Sequence, residues 1–361
     1  MKNFLHYIVL LVLLVLIGGC GNTQYESIHE SIGLLYFSTS IDKSNGKGSL
    51  YTIDSSGKVA NVLETEGLEL GEIYHQNDTV IVNDVSHSYL IDEDISEETR
   101  EQKEYTAIFA DYMDDGERVE LYNSGYDENG TYHSHLYWEH EGKMQFQDLR
   151  YFITTAGIYD DSLYVLEEKE TDEHMVLQEI VLDETAVDNP LLSLDYQTDE
   201  LVPLTDMIVT EELIYCIVDI QQEYSVLVIN KDTGKVNENN FLSFDSNENM
   251  STYLPYSVYN SIHWSDNQLF FLDGQGSLYQ FNKDGVLETT YEVPDTSDES
   301  LYIFPSWSEN DLYVFEMTET SSVKKINLRE MDLEDELELK EGSFSEISEQ
   351  FLYDFEVING F

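Results

Sequence analysis

The chain has 361 residues, with 73 aspartates and glutamates against 17 lysines and arginines, for a formal charge of −56. That charge repels nucleic-acid phosphates and anionic head groups, which argues against a nucleic-acid binder or an acidic-membrane binder. Two cysteines exclude a disulfide scaffold, and 41% hydrophobic residues with 26 tyrosines set the chain apart from acidic disordered proteins, which lack the apolar surface to fold.

The amino terminus opens with Lys2 and an apolar run from Tyr7 to Ile17. A transmembrane helix needs about 20 apolar residues, so this shorter run reads as a secretory signal. Its ending, Ile17-Gly18-Gly19-Cys20, resembles the lipobox of bacterial lipoproteins. The resemblance implies that residues 1–19 are a signal peptide and that Cys20 becomes the fatty-acylated first residue of the mature protein. It would then sit on the extracellular face of a bacterial cytoplasmic membrane, in a Gram-positive cell. Residues 20–32 begin with the polar stretch Gly21 to Ser27 and read as a tether. Cys216, the other cysteine, lies inside the apolar run from Leu213 to Val218 with no basic neighbour, the setting of an inert core thiol.

From Gly33 to Phe361 the chain has almost no sustained 3.6-residue apolar period. It repeats a short phrase instead: a polar turn, an apolar-aromatic strand and a second strand. The phrase appears as Gly33-Leu34-Leu35-Tyr36-Phe37, Asp161-Ser162-Leu163-Tyr164-Val165, Glu212-Leu213-Ile214-Tyr215, Asn267-Gln268-Leu269-Phe270-Phe271 and Asn310-Asp311-Leu312-Tyr313-Val314. Steps near 50 residues between leucines 163, 213, 269 and 312 fit a four-stranded propeller blade with variable loops. A second phrase, Gly48-Ser49-Leu50-Tyr51 running to Asp54-Ser55-Ser56-Gly57, recurs as Gly276-Ser277-Leu278-Tyr279 running to Asn282-Lys283-Asp284-Gly285. In both, an alternating strand enters a turn whose glycine supplies a positive φ.

The fold class expected is therefore all-β: one propeller over residues 33–361, built of four-stranded antiparallel sheets. Seven blades are expected, at 34–64, 69–95, 106–148, 152–184, 205–245, 260–293 and 302–330. The third is the least regular, which leaves six and eight open. The apolar end from Phe351 to Ile358 is placed to close the ring beside the first strand. These paired phrases resemble bacterial lipoprotein propellers related to the YWTD repeats of lipoprotein-receptor ectodomains. Leu136-Tyr137-Trp138-Glu139 is the nearest match to that tetrapeptide and departs from it at the last two positions.

For chemistry, His133 and His135 share a strand face and His140 follows across a turn, a nitrogen-rich set that a metal such as Zn²⁺ accepts. The acidic turns Asp111 to Glu117, Asp127 to Gly130 and Asp295 to Glu299 lack the twelve-residue calcium-loop pattern, so weak Ca²⁺ association is the expectation there. Tyr256, Tyr259, Trp264 and Trp307 lie at predicted blade starts, where an aromatic rim can hold a ligand and where most such rings pack between blades. Nucleophile, zinc-hydrolase, phosphate-loop and dinucleotide motifs are absent, and no cofactor is implied.

The expectation is a membrane-anchored, non-catalytic binding or scaffolding module for a protein, peptide or envelope glycan. The alternative is an extracellular carbohydrate-active or lyase-type propeller enzyme. Converging acids and histidines in a polar channel would favour the enzyme, and an apolar channel with an aromatic rim would favour the binder. Replacing the acylated residue, Cys20→Ala, is expected to move the protein from the membrane to the soluble fraction with its fold intact; continued membrane retention after secretion would contradict the anchor.

Overall fold

The computed structural model describes residues 28–361 apart from 41–45, 77–78, 93, 169–173, 199, 245–252, 258–259, 295, 297–301, 319, 341–343, 345–346 and 348–349. The signal, Cys20, Tyr259 and most of the third acidic turn lie outside the described residues.

The strand phrases fold into seven antiparallel sheets arranged in chain order. Blade 1 holds Gly33–Ser38, Gly48–Ile53 and Val59–Thr65. Blades 2 to 7 occupy 73–99, 106–149, 152–197, 201–243, 262–292 and 302–338, close to the units read from the sequence. Blade 3, the least regular in sequence, has the longest middle strands, Arg118–Tyr126 and Tyr132–His140. In blade 5 the innermost position is shared by Leu201–Pro203 and Ile208–Val209, which both pair with Leu213–Ile220.

The recurring turns work as their composition requires. Asp54 Oδ1 accepts N–H bonds from Ser56 and Lys58 while Gly57 takes φ 72°. Asn282 Oδ1 does the same for Asp284 and Val286 beside Gly285 at φ 76°. A short acceptor side chain followed three residues later by a residue free to adopt positive φ therefore reverses the chain without an orphaned N–H.

Leu163, Leu269 and Leu312 of the strand phrase are buried, and clusters of buried apolar side chains fill the seams between adjoining blades. Cys216 sits in the seam between blades 4 and 5, where burial pushes its thiol up to about 12. Residues 28–32 differ from the tether expected for them. Ile28 and Ile32 are buried, the Ile32 amide donates to Ile53 O at 2.8 Å, and Ile32 O accepts from the Ile358 amide at 2.9 Å.

Phe351–Val357 closes the ring as the innermost strand of blade 1, antiparallel to Gly33–Ser38, with Leu35 opposite Phe355. Inner strands also touch directly. Met207 N–H donates to Ala156 O at 2.8 Å, joining blades 4 and 5, and a Cβ at neighbouring Gly157 would overlap the Met207 carbonyl. No helix among the described residues is long and apolar enough to cross a membrane. Gly157→Ala is expected to lower unfolding free energy by about 1–3 kcal/mol, the usual range for overpacking, in chemical denaturation; an unchanged midpoint and slope would contradict this close approach.

Candidate functional site

Seven inner strands surround a central channel whose cavity is about 350 Å³. Each blade contributes to its wall: Glu72 and His75 from blade 2, Asp111 from blade 3, Ile158 from blade 4, Asp206 and Met207 from blade 5, Asn260 and His263 from blade 6, Trp307 from blade 7 and Glu356 from the closing strand. Asp354 lies just behind this wall. No lysine or arginine lines the cavity among the described residues.

The closing strand fastens the acids in place. Asp354 is fully buried and accepts hydrogen bonds from the Ile73 amide of blade 2 at 2.7 Å and from Asn260 Nδ2 of blade 6 at 2.8 Å. Two residues on, Glu356 meets His75 Nδ1 at 3.0 Å and accepts a 2.9 Å bond from Ser306 Oγ of blade 7. Asp354 and Glu356 thereby link four blades.

Five carboxyl groups in so small a space cannot all ionise without strong mutual repulsion. Burial, and then the neighbouring Asp206, Asp354 and Asp111, push Glu72 well above the usual carboxylate range. Burial and Asp111 do the same to Asp206. Burial and Glu356 carry Asp354 up to about 7. Asp111 is exposed at its own surface yet enclosed by the channel walls, which together with Glu356 push it up to about 6. The Glu356 hydrogen bond raises His75, whereas burial lowers His263 to about 4.

Two buried oxygens, Glu72 Oε1 and Asp206 Oδ1, have no hydrogen-bond partner, and neither does His263 Nε2. The His263 ring stacks on Trp307 at 5.0 Å and 6°, and the Trp307 indole N–H donates to Asn260 O. The channel is polar, with acids and histidines converging on it, the character expected above of the enzyme rather than of the binding module.

Of the aromatic residues read from the sequence, Trp307 reaches the channel. Trp264 instead stacks on Tyr215 at 4.8 Å within the seam between blades 5 and 6, and Tyr256 is exposed beside Tyr302. The three histidines are not brought together. His133 Nδ1 contacts Asp148 at 2.7 Å, and His135 Nδ1 meets buried Glu104 at 2.9 Å. His140 faces Asp183 at 3.6 Å. No group of three His, Cys, Asp or Glu side chains suited to a metal occurs among the described residues. In the acidic turn at Asp127, the Thr131 amide, then Asn129, hold the carboxylate down to about 2, so its oxygens already serve the turn. Sequence reading missed Glu72, His75, Asp206 and Glu356 as site residues, and it placed Asp111 in a surface turn.

The fold and this channel define a seven-bladed propeller with an acidic axial cavity. The chain belongs to the family described as the YycP beta-propeller domain, which matches residues 26–358. It is 27% identical over 259 residues to the uncharacterized protein YycP of Bacillus subtilis (strain 168), covering 69% of this chain and 66% of that protein, just under two thirds of its length. Solved propellers share the fold alone. A protein from Lactobacillus plantarum aligns with TM-score 0.56 at 10% identity, over 87% of this chain and 98% of that one. The beta-propeller domain of Cps50 (Swd1) from Myceliophteria thermophila aligns with TM-score 0.52 at 10% identity, over 73% and 84%.

Burial keeps the Asp354 carboxyl protonated well above the pH at which a free aspartate ionises. Between about pH 4 and pH 7 the folded chain retains a proton that the unfolded chain has released, so stability from this group falls as pH rises through that window. Asp354→Asn has no such proton. Its melting temperature relative to the native chain is expected to improve from pH 5 to pH 8; a difference that stays constant with pH would contradict the buried, protonated carboxyl.

Proposed function

We propose that this protein is an envelope-anchored binding module whose axial channel takes a small ligand bearing a protonated amine. The observation that carries this reading is four carboxyl groups lining one cavity, with Asp354 behind them and no lysine or arginine in the wall among the described residues. An ammonium group supplies the missing positive charge and N–H donors for the open carboxyl groups of Asp111 and Glu356. The stacked rings of His263 and Trp307 add an aromatic wall against which a cation is attracted. A cavity of this size falls within the usual range of about 300–1,000 Å³ for small-ligand sites.

Anchorage through Cys20, exposure on the outer face of the membrane and kinship with YWTD-type lipoprotein propellers belong to the same proposal. They are supported by the lipobox-like ending and by the strand phrases. Loose Ca²⁺ association with the acidic turns is part of it too. The ligand thus narrows from any protein, peptide or glycan to an amine-bearing one.

An acid–base enzyme is the second reading. It draws on the spread between protonated Asp354 and the Glu356–His75 pair beside it, since acids and bases at a catalytic centre are held at different protonation states. Binding is preferred because Glu72, Asp206 and Asp354 are buried, out of reach of a substrate to which they would pass a proton. Only Asp111, Glu356 and His75 are open enough to touch a substrate.

Calorimetry of the detergent-purified full chain with 1,4-diaminobutane and its neutral analogue 1,4-butanediol, at physiological salt, tests the reading. The diamine is expected to bind at one site and the diol not at all. Affinity should fall about tenfold or more from pH 7.5 to pH 5, as Asp111 and its neighbours take up protons while the amines stay charged. Asp111→Asn should weaken binding by about as much, and the surface change Glu330→Gln should not. Equal binding of the diol, or equal effects of both substitutions, would sink the proposal.

A further inference from the structure

The seam between blades 2 and 3 is built differently from the other six. Its buried apolar cluster comprises only Leu68, Ala107, Tyr122 and Tyr137, where the others are far larger. Strand length explains the gap. Blade 2 has strands of four and five residues, whereas the strands of blade 3 run to seven and nine, so the face of blade 3 overhangs its neighbour. Under the overhang lies a cavity of about 460 Å³, lined by Tyr137, Met144 and Phe146 together with charged side chains from both blades.

Two of the four arginines in this acidic chain converge there. Arg100 donates to Ser88 Oγ at 2.7 Å, approaches Glu120 at 3.4 Å, donates to the Asp84 carbonyl and packs over the Tyr122 ring. Glu120 in turn accepts from the hydroxyls of Tyr74 at 2.6 Å and Tyr122 at 2.8 Å. Arg118, which is 6% exposed, donates to Glu98 at 2.8 Å and Glu139 at 3.1 Å. Even so, Arg118 Nη1 and Arg100 Nε remain buried without an acceptor. A buried guanidinium N–H left unpaired costs stability, and a buried ion pair is a poor substitute for apolar packing. Neither feature is accounted for by holding two blades together, which the other seams achieve with apolar side chains.

We propose that this interblade cavity is a second binding site, separate from the axial channel, for a neutral saccharide unit. The groups left unsatisfied are N–H donors, which a cation cannot use. An anion would face Glu98, Glu101, Glu120 and Glu139. A sugar hydroxyl can accept from the guanidinium groups of the two arginines in the cavity wall and donate to the glutamates there, so it suits both. The apolar face of the ring then lies against Phe146, which is 44% exposed and packs on Tyr137 at 5.1 Å. The site shares no lining residue with the channel, and the two meet through the Tyr74 hydroxyl of the channel wall, which donates to Glu120.

The test uses cellobiose and N,N′-diacetylchitobiose as neutral probes and digalacturonate as a charged one, titrated into the detergent-purified full chain. At least one neutral disaccharide is expected to bind with one-to-one stoichiometry, and digalacturonate about tenfold more weakly or not at all. Phe146→Ala, a change at a partly exposed wall, should weaken the neutral sugar about tenfold while leaving 1,4-diaminobutane binding unaltered. Arg118→Lys should also weaken it, with circular dichroism confirming the fold. Absence of binding by both neutral sugars up to about 10 mM, equal binding of digalacturonate, or a Phe146→Ala variant that binds like the native chain would each overturn the site.

Discussion

Closure of the ring by the last strand is the constraint on which the rest of the molecule depends. Each blade has apolar faces that it cannot cover alone, and only its neighbours bury them. The first blade receives its innermost strand from the far end of the sequence, with Phe355 opposite Leu35 and Val357 opposite Gly33. That pairing removes the free sheet edge and completes the apolar seam between blades 7 and 1, where Phe304, Phe315 and Phe355 meet. It also makes the channel. Asp354 and Glu356 enter the axis only because the strand carrying them is the closing strand, and from there they reach Ile73, His75, Asn260 and Ser306 on three other blades.

Acidity plays two different parts in this chain. Among the described residues, most carboxylates lie at exposed positions of turns and outer strands, such as Glu288 in blade 6 or Glu336 in blade 7, where water screens them and they keep the surface hydrated. In the axis the same chemistry is confined. Low-dielectric walls focus the potential there, and part of the cost is relieved by retained protons on Asp354, Glu72 and Asp206. Blade 7 shows the contrasting solution in Lys324, buried against Glu316 at 2.9 Å and Pro294 O at 2.6 Å. Glu316 is given a lysine, whereas no lysine or arginine lines the channel among the described residues.

Much of the architecture was legible because it is local. Leucine and tyrosine alternate over a few residues, the Asp54 and Asn282 turns carry their glycine at a fixed offset, and these signals recur at blade spacing. Even the closing strand could be read, from an apolar run at the carboxyl end. The channel was not, since its residues come from positions as distant as 72 and 356 and are chemically indistinguishable from dozens of surface acids. One signal was available: Asp354 and Glu356 interrupt an otherwise apolar strand, and an acid inside a buried pattern calls for a partner or a proton. The histidines misled for the opposite reason. His133 and His135 are close in sequence, but a bulge after His133 and separate carboxylate partners, Asp148 and Glu104, divert them from a common centre.

Because the channel exists only in a closed ring, the most direct measurement is native-state hydrogen exchange of the full chain, comparing the amides of Phe351–Val357 with those of Gly33–Ser38 and Gly48–Ile53. Closure as described requires the last strand to be protected to the same degree as the two it completes, opening with them as one cooperative unit. Exchange of Phe351–Val357 at the rate of an unstructured peptide, while Gly33–Ser38 stays protected, would contradict it.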